Sequence, residues 1–115
     1  MYSGYFKLKK LEFIHQKHDG TWTNQVDREI FGGANVSTLL PYDSKRKEIV
    51  LLQQFRAGAI SRYDEDYLLE IVAGIIDGNE SPEETAKREC FEETGCIVNK
   101  IIPIQGYFPA PGSSE

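Results

Sequence analysis

Cysteine and histidine are scarce in this chain, two of each, which is too few to complete a Cys/His zinc site. Cys90 and Cys96 form no CxxC pair. Both stand where an apolar side chain would serve, so they read as buried free thiols, and a reducing cytoplasm is the expected compartment. Long apolar runs are missing too: "IVLL" and "YLLEIVAGII" fall far short of the roughly 20 residues that a bilayer span needs. No charged-then-apolar leader opens the chain. Positive charge is short, with 13 Lys and Arg against 18 Asp and Glu; the net charge of −5 argues against a nucleic-acid backbone or an anionic membrane as partner. No repeat, low-complexity tract or linker divides the 115 residues, and 40% apolar content suits one small domain with a modest core.

Strand signals dominate what is there. "YFKLKKLEFIHQ" partly alternates, "HDG" at 18–20 supplies a turn, and "TWTNQVDREIF" returns, which predicts an N-terminal antiparallel hairpin over 1–31. "ANVSTLLPY" and "EIVLLQQF" read as two strands around the polar turn "DSKRK". "RAGAISRYDED" reads as a loop and "YLLEIVA" as a short strand; residues 74–80 form a loop that leads into a helix. Beyond the helix, "CIVNKIIPIQGYF" is strand-like and "PAPGSSE" is loop. Many strands with one well-marked helix predict an α+β fold, a mixed β-sheet with a helix packed on it.

The helix is signalled at both ends. Ser81 is a natural N-cap, Pro82 suits the first helical position, and Glu84 completes a Ser-x-x-Glu capping box. Gly95 is able to take the left-handed conformation that ends a helix. At about 100° per residue, Glu89, Glu92 and Glu93 share one arc of the cylinder, with Ala86, Cys90 and Phe91 on the other side.

Six glutamates fall between positions 80 and 93. Glu83 and Glu84 need no special account, since negative charge in the first turn complements the helix dipole. Glu89, Glu92 and Glu93 lie at the opposite, negative end, where cations belong. Solvated charged faces are common on helices, and Lys87 and Arg88 offset part of this one. Three carboxylates on one face at the wrong end nevertheless suit a hard divalent cation. Mg²⁺ takes oxygen ligands, usually one or two carboxylates with waters and substrate phosphates.

The stretch "GIIDGNESPEETAKRECFEETGC" resembles the Nudix box, G-x5-E-x7-R-E-U-x-E-E-x-G-U with U aliphatic. Gly74, Glu80, Arg88, Glu89, Glu92, Glu93 and Gly95 fill every fixed position, a coincidence on the order of 10⁻⁸ at a given window from average residue usage. Cys90 and Cys96 stand at the two aliphatic positions. The resemblance implies a hydrolase that cleaves nucleoside diphosphates linked to another moiety, using Mg²⁺ or Mn²⁺, two or three ions per site. It implies that Glu89 and Glu93 ligate metal directly, that Glu92 serves a further metal or its waters, and that the Ala73 carbonyl is another ligand. Arg88 and Glu80 would brace the loop-helix unit, with Gly74 and Gly95 as its turning points.

"DREIF", "VLLQQFR", "YLLEIVAG" and Pro111, fifteen residues past the box, resemble the ADP-ribose pyrophosphatase branch. That likeness implies substrate contacts from Tyr5 and Phe6, Arg28 and Glu29, Arg56, Ile75, the loop Ala110–Pro111–Gly112, and Glu115. It also implies a homodimer paired through the hairpin. The branch has further segments at both ends, including a loop with the general base beyond Glu115, so the chain is expected to be part of a longer protein. The expected reaction is hydrolysis of ADP-ribose to AMP and ribose 5-phosphate. A GDP-mannose-type hydrolase, a non-catalytic ADP-ribose-binding module and a plain acidic interaction domain are the alternatives.

Overall fold

The structure is a computed structural model; it describes residues 4, 6–63 and 67–112, with 61–63 described by backbone alone. Tyr5 and Glu115 lie outside the described residues. Two compact units make up the chain, Met1–Ala34 with Ile104–Glu115, and Asn35–Pro103.

In the first unit, β1 (Lys7–Phe13) pairs antiparallel with β2 (Val26–Gly32), in register from Lys7↔Gly32 to Phe13↔Val26. The turn between them is closed by local bonds. The Asp19 carboxylate accepts from the Thr21 amide at 2.9 Å and its hydroxyl at 2.7 Å, and Gly20 takes φ 83°, open to glycine without strain. Alternation sorts charge between the hairpin's faces. Lys10 meets Asp27 at 2.8 Å and Glu12 at 3.4 Å on one face, while Lys7, Lys9 and Arg28 fall on the other.

The second unit holds β3 (Val36–Leu39), β4 (Tyr42–Asp43), β5 (Glu48–Ile49), β6 (Leu52–Phe55), α1 (Ala57–Tyr63), β7 (Tyr67–Glu70), β8 (Val72–Ile75) and α2 (Pro82–Thr94). β3 pairs with β8, β4 with β5 and β6 with β7, all antiparallel. A mixed sheet needs a parallel pair, and the described residues contain none; they form separate two-stranded ladders. α2 packs on β8 and β3. Val72 from the strand and Thr85, Ala86 and Cys90 from the helix are buried together as the core of that contact.

Five segments depart from the sequence reading. "ANVSTLLPY" and "EIVLLQQF" are each two strands, β3 with β4 and β5 with β6, and only β4 and β5 pair across the turn. "AGAISRY" is the helix α1 rather than loop; so short a helix is marginal alone, and it is anchored through Ala59, which is buried. "YLLEIVA" is two strands, because residues 67–70 pair with β6 while residues 72–75 pair with β3, and the chain changes partner at Ile71. β8 therefore runs through Gly74 to Ile75, so the loop starts later than expected. "CIVNKIIPIQGYF" forms no strand among the described residues: nothing pairs with it, Pro103 lacks an amide donor, and Ile104 is 95% exposed.

Candidate metal and diphosphate site

Local chemistry fixes α2 at both ends. The Ser81 hydroxyl accepts from the Glu84 amide at 3.2 Å, and the Glu84 carboxylate accepts from the Ser81 amide at 2.8 Å. At the far end Gly95, with φ 73°, donates its amide to the Phe91 carbonyl at 2.9 Å. A long-range bond then locks the helix to the sheet: the Ser37 hydroxyl of β3 donates to the Pro82 carbonyl at 2.7 Å.

Arg88 organises the charges. Its Nε and Nη2 each donate at 2.8 Å to the two oxygens of Glu80, the paired geometry that suits a guanidinium and a carboxylate. Nη1 donates to Glu89 at 2.7 Å and to Glu92 at 3.4 Å, and Nη2 also lies 3.4 Å from the Ile75 carbonyl. The Thr85 hydroxyl adds a 2.9 Å bond to Glu80. The Arg88 guanidinium, followed by that hydroxyl, holds the Glu80 carboxyl down at about 2, and the same carboxylate with Glu89 pushes Arg88 further up. One cation thus joins the loop, the strand end and the helix.

The three glutamates of the shared arc have different surroundings. Glu89 lies against Gly74, where an added Cβ would collide with its side chain from Cγ to the carboxylate. Only 17% of its side chain is exposed. Glu93, one turn on, accepts from the Gln54 side-chain amide at 2.8 Å, and its other oxygen lies 3.4 Å from the Ala73 amide nitrogen. Glu92 is exposed. Two carboxylates one turn apart therefore meet consecutive residues of β8. Among the described residues no three Asp, Glu, His or Cys side chains gather closely enough to hold an ion alone. Two carboxylates completed by water and phosphate oxygens suit Mg²⁺, and the glycine-sized space at position 74 is what lets Glu89 reach the strand. The donor set fits a hard divalent cation.

The other sequence-predicted residues are more dispersed. Arg56 is bound to Glu70 by Nε at 2.8 Å and Nη2 at 2.6 Å, which raises the arginine and lowers the glutamate. Ile75 follows Gly74 on β8 and is exposed. In the first unit, Phe6 packs on Phe31 with centroids 4.7 Å apart, and Arg28 donates to the Asp27 carbonyl at 2.6 Å. Arg28 and Glu29 are neighbours on β2 and point to opposite faces. Ala110 is half-buried, and Pro111 and Gly112 are exposed. Of the residues expected across α2 from the glutamates, Ala86 and Cys90 are buried and Phe91 is 59% exposed; at about 100° per residue Ala86 falls beside Glu93 and not opposite it, so the carboxylate arc borders the buried face.

Three contributors escaped the sequence reading: Ser37, Gln54 and Thr85. Ser37 and Gln54 carry a signal, each a polar residue at an inward position of its strand.

Residues 33–115 match the family model described as the NUDIX domain. The chain is 39% identical over 115 residues to an ADP-ribose pyrophosphatase of Escherichia coli, spanning 100% of this chain and 55% of that protein. An ADP-ribose pyrophosphatase of Haemophilus influenzae is 32% identical, over 97% of this chain and 53% of its own length. A GDP-mannose pyrophosphatase of Yersinia pestis is 36% identical over 109 residues, 94% of this chain and 54% of that protein. The chain thus spans about half the length of the curated relatives it matches.

Proposed function

Because the chain belongs to the NUDIX domain family, we propose that it takes part in metal-dependent hydrolysis of a nucleoside-diphosphate sugar, with ADP-ribose, cleaved to AMP and ribose 5-phosphate, as first choice. The observation that carries this reading is the seating of Glu89 and Glu93 against Gly74 and Ala73, braced by Arg88. Those two carboxylates would hold Mg²⁺ or Mn²⁺, with the Ala73 carbonyl and Glu92 completing a site for two or three ions. Bound there, the metal would neutralise the diphosphate's developing charge and lower the pKa of the attacking water. The chain's own part is positional. Arg88 keeps Glu89 pointing at β8, Glu80 keeps Arg88 in place, and Gly74 keeps the strand close.

Tyr5, Phe6, Arg28, Glu29, Arg56, Ile75, the Ala110–Gly112 loop and Glu115 are the proposed substrate contacts, and the β1–β2 hairpin the proposed homodimer contact. Among the described residues no helix is long and apolar enough to cross a membrane; a cytoplasmic setting is part of the proposal. GDP-mannose remains the second substrate, on the likeness to the Yersinia pestis protein.

Incubation of the full-length protein with ADP-ribose and with GDP-mannose, each with Mg²⁺ or Mn²⁺, tests the reading. AMP should appear from ADP-ribose, and Glu89→Gln and Glu93→Gln should each lower the rate by orders of magnitude. No release from either substrate, or full activity in both variants, would overturn it.

A further inference from the structure

Gln54 occupies a place on β6 that favours an apolar side chain. Leu52 and Gln54 share the partly covered side of the strand, while Gln53 and Phe55 are exposed. A half-buried amide is costly unless it is hydrogen-bonded, and this one directs an N–H at Glu93, 39 residues away in sequence, at 2.8 Å. A carboxylate offers about four lone-pair sites. Gln54 occupies one on Oε1 and the Ala73 amide approaches Oε2 at 3.4 Å, so acceptor capacity remains on both oxygens. The donor is neutral, unlike the guanidinium on Glu89, so it orients Glu93 without cancelling its charge.

We propose that Gln54 is a positioning residue for Glu93, setting the orientation in which that carboxylate takes a divalent cation. The inference rests on the functional reading above and goes beyond it, to a residue outside the Nudix box. It divides the bracing of the site between two supports. Arg88, on the helix itself, holds Glu89; Gln54, on a separate strand, holds Glu93. Loss of an outer hydrogen bond to a ligating group typically weakens metal binding by about 10–100-fold.

The test follows Mn²⁺ binding to the substrate-free protein by electron paramagnetic resonance, in Gln54→Met, Glu93→Gln, the double variant of these two, and Glu89→Gln. Methionine keeps the length and removes the donor. Gln54→Met should weaken Mn²⁺ binding about 10–100-fold, leave the melting temperature of the metal-free protein within a few degrees, and add nothing in the Glu93→Gln background. If the methionine variant does not fold, Gln54→Leu, which restores the apolar side of β6, takes its place. Normal Mn²⁺ binding in the Gln54 variant with weakened binding in Glu93→Gln overturns this inference alone. An equal loss in both backgrounds also overturns it, since the effect would not pass through Glu93. Normal binding in both Glu89→Gln and Glu93→Gln overturns the functional reading instead.

Discussion

Gly74→Ala would bring a methyl group into the space of the Glu89 side chain. The backbone at position 74 is not among the positive-φ glycines, so alanine meets no conformational barrier there. The nearest obstacle is the Glu89 side chain. Gly→Ala at a compatible backbone position stabilises by about 0.4–1 kcal/mol through the unfolded chain. Overpacking a filled site costs about 1–3 kcal/mol. Their difference makes Gly74→Ala roughly neutral to 2.6 kcal/mol destabilising in the wild-type background. Glu89→Ala vacates the space, so in that background the same change should stabilise by about 0.4–1 kcal/mol. Urea unfolding of the two single variants, the double variant and wild type closes the cycle. The expected coupling is about 1–3 kcal/mol, within the range for residues in contact, and with it a change of sign. An identical Gly74→Ala effect in both backgrounds would refute the account of why glycine stands there.

Further outcomes follow from the helix and its bracing. Glu80 is held at about 2, below the ordinary 4.5, by Arg88 and Thr85, so its contribution to stability is complete above pH 4.5 and lost as pH falls toward 2. Urea midpoints between pH 7 and 3 should fall less steeply in Glu80→Gln than in wild type; equal slopes would exclude the pair as a source of acid sensitivity. Ser81→Ala should cost about 0.5–2 kcal/mol and Ser81→Gly only a few tenths, read from denaturant midpoints. Gly95→Ala should cost about 1–2 kcal/mol from the left-handed backbone alone, since nothing lies within 4 Å of the added Cβ; an unchanged melting temperature would contradict that.

How much of this was legible in the sequence depended on how local each feature is. The Ser81 cap, the capping box and the Gly95 stop are read within a few residues of themselves, and the structure contains all three. The motif singled out Gly74 and Glu89, but only the fold places the glycine beneath the glutamate, 15 residues on. Strand partners were least accessible. Nothing in "YLLEIVA" announces a change of partner at Ile71, and alternation in "CIVNKIIPIQGYF" cannot supply the second strand that a ladder requires. α1 was missed because its seven residues carry no acidic first turn. Arg56 is a substrate contact by resemblance alone, and its bidentate partner Glu70 becomes visible only when β6 and β7 are paired.

The bond from Ser37 to Pro82 spans 45 residues of sequence, which has a temporal side during synthesis. At about 5–20 residues per second, β3 leaves the ribosome roughly 2–9 s before the helix turn that will hold it. Its ladder partner β8 emerges only shortly before that turn. For those seconds the strand is an unpaired edge carrying Val36 and Leu39, the kind of segment that nascent-chain chaperones cover. During synthesis, the wait for β8 and the helix turn to emerge, rather than the far faster loop closure that follows, sets that interval. Slower translation between codons 40 and 80 would lengthen the vulnerable interval and leave the finished protein's stability unchanged.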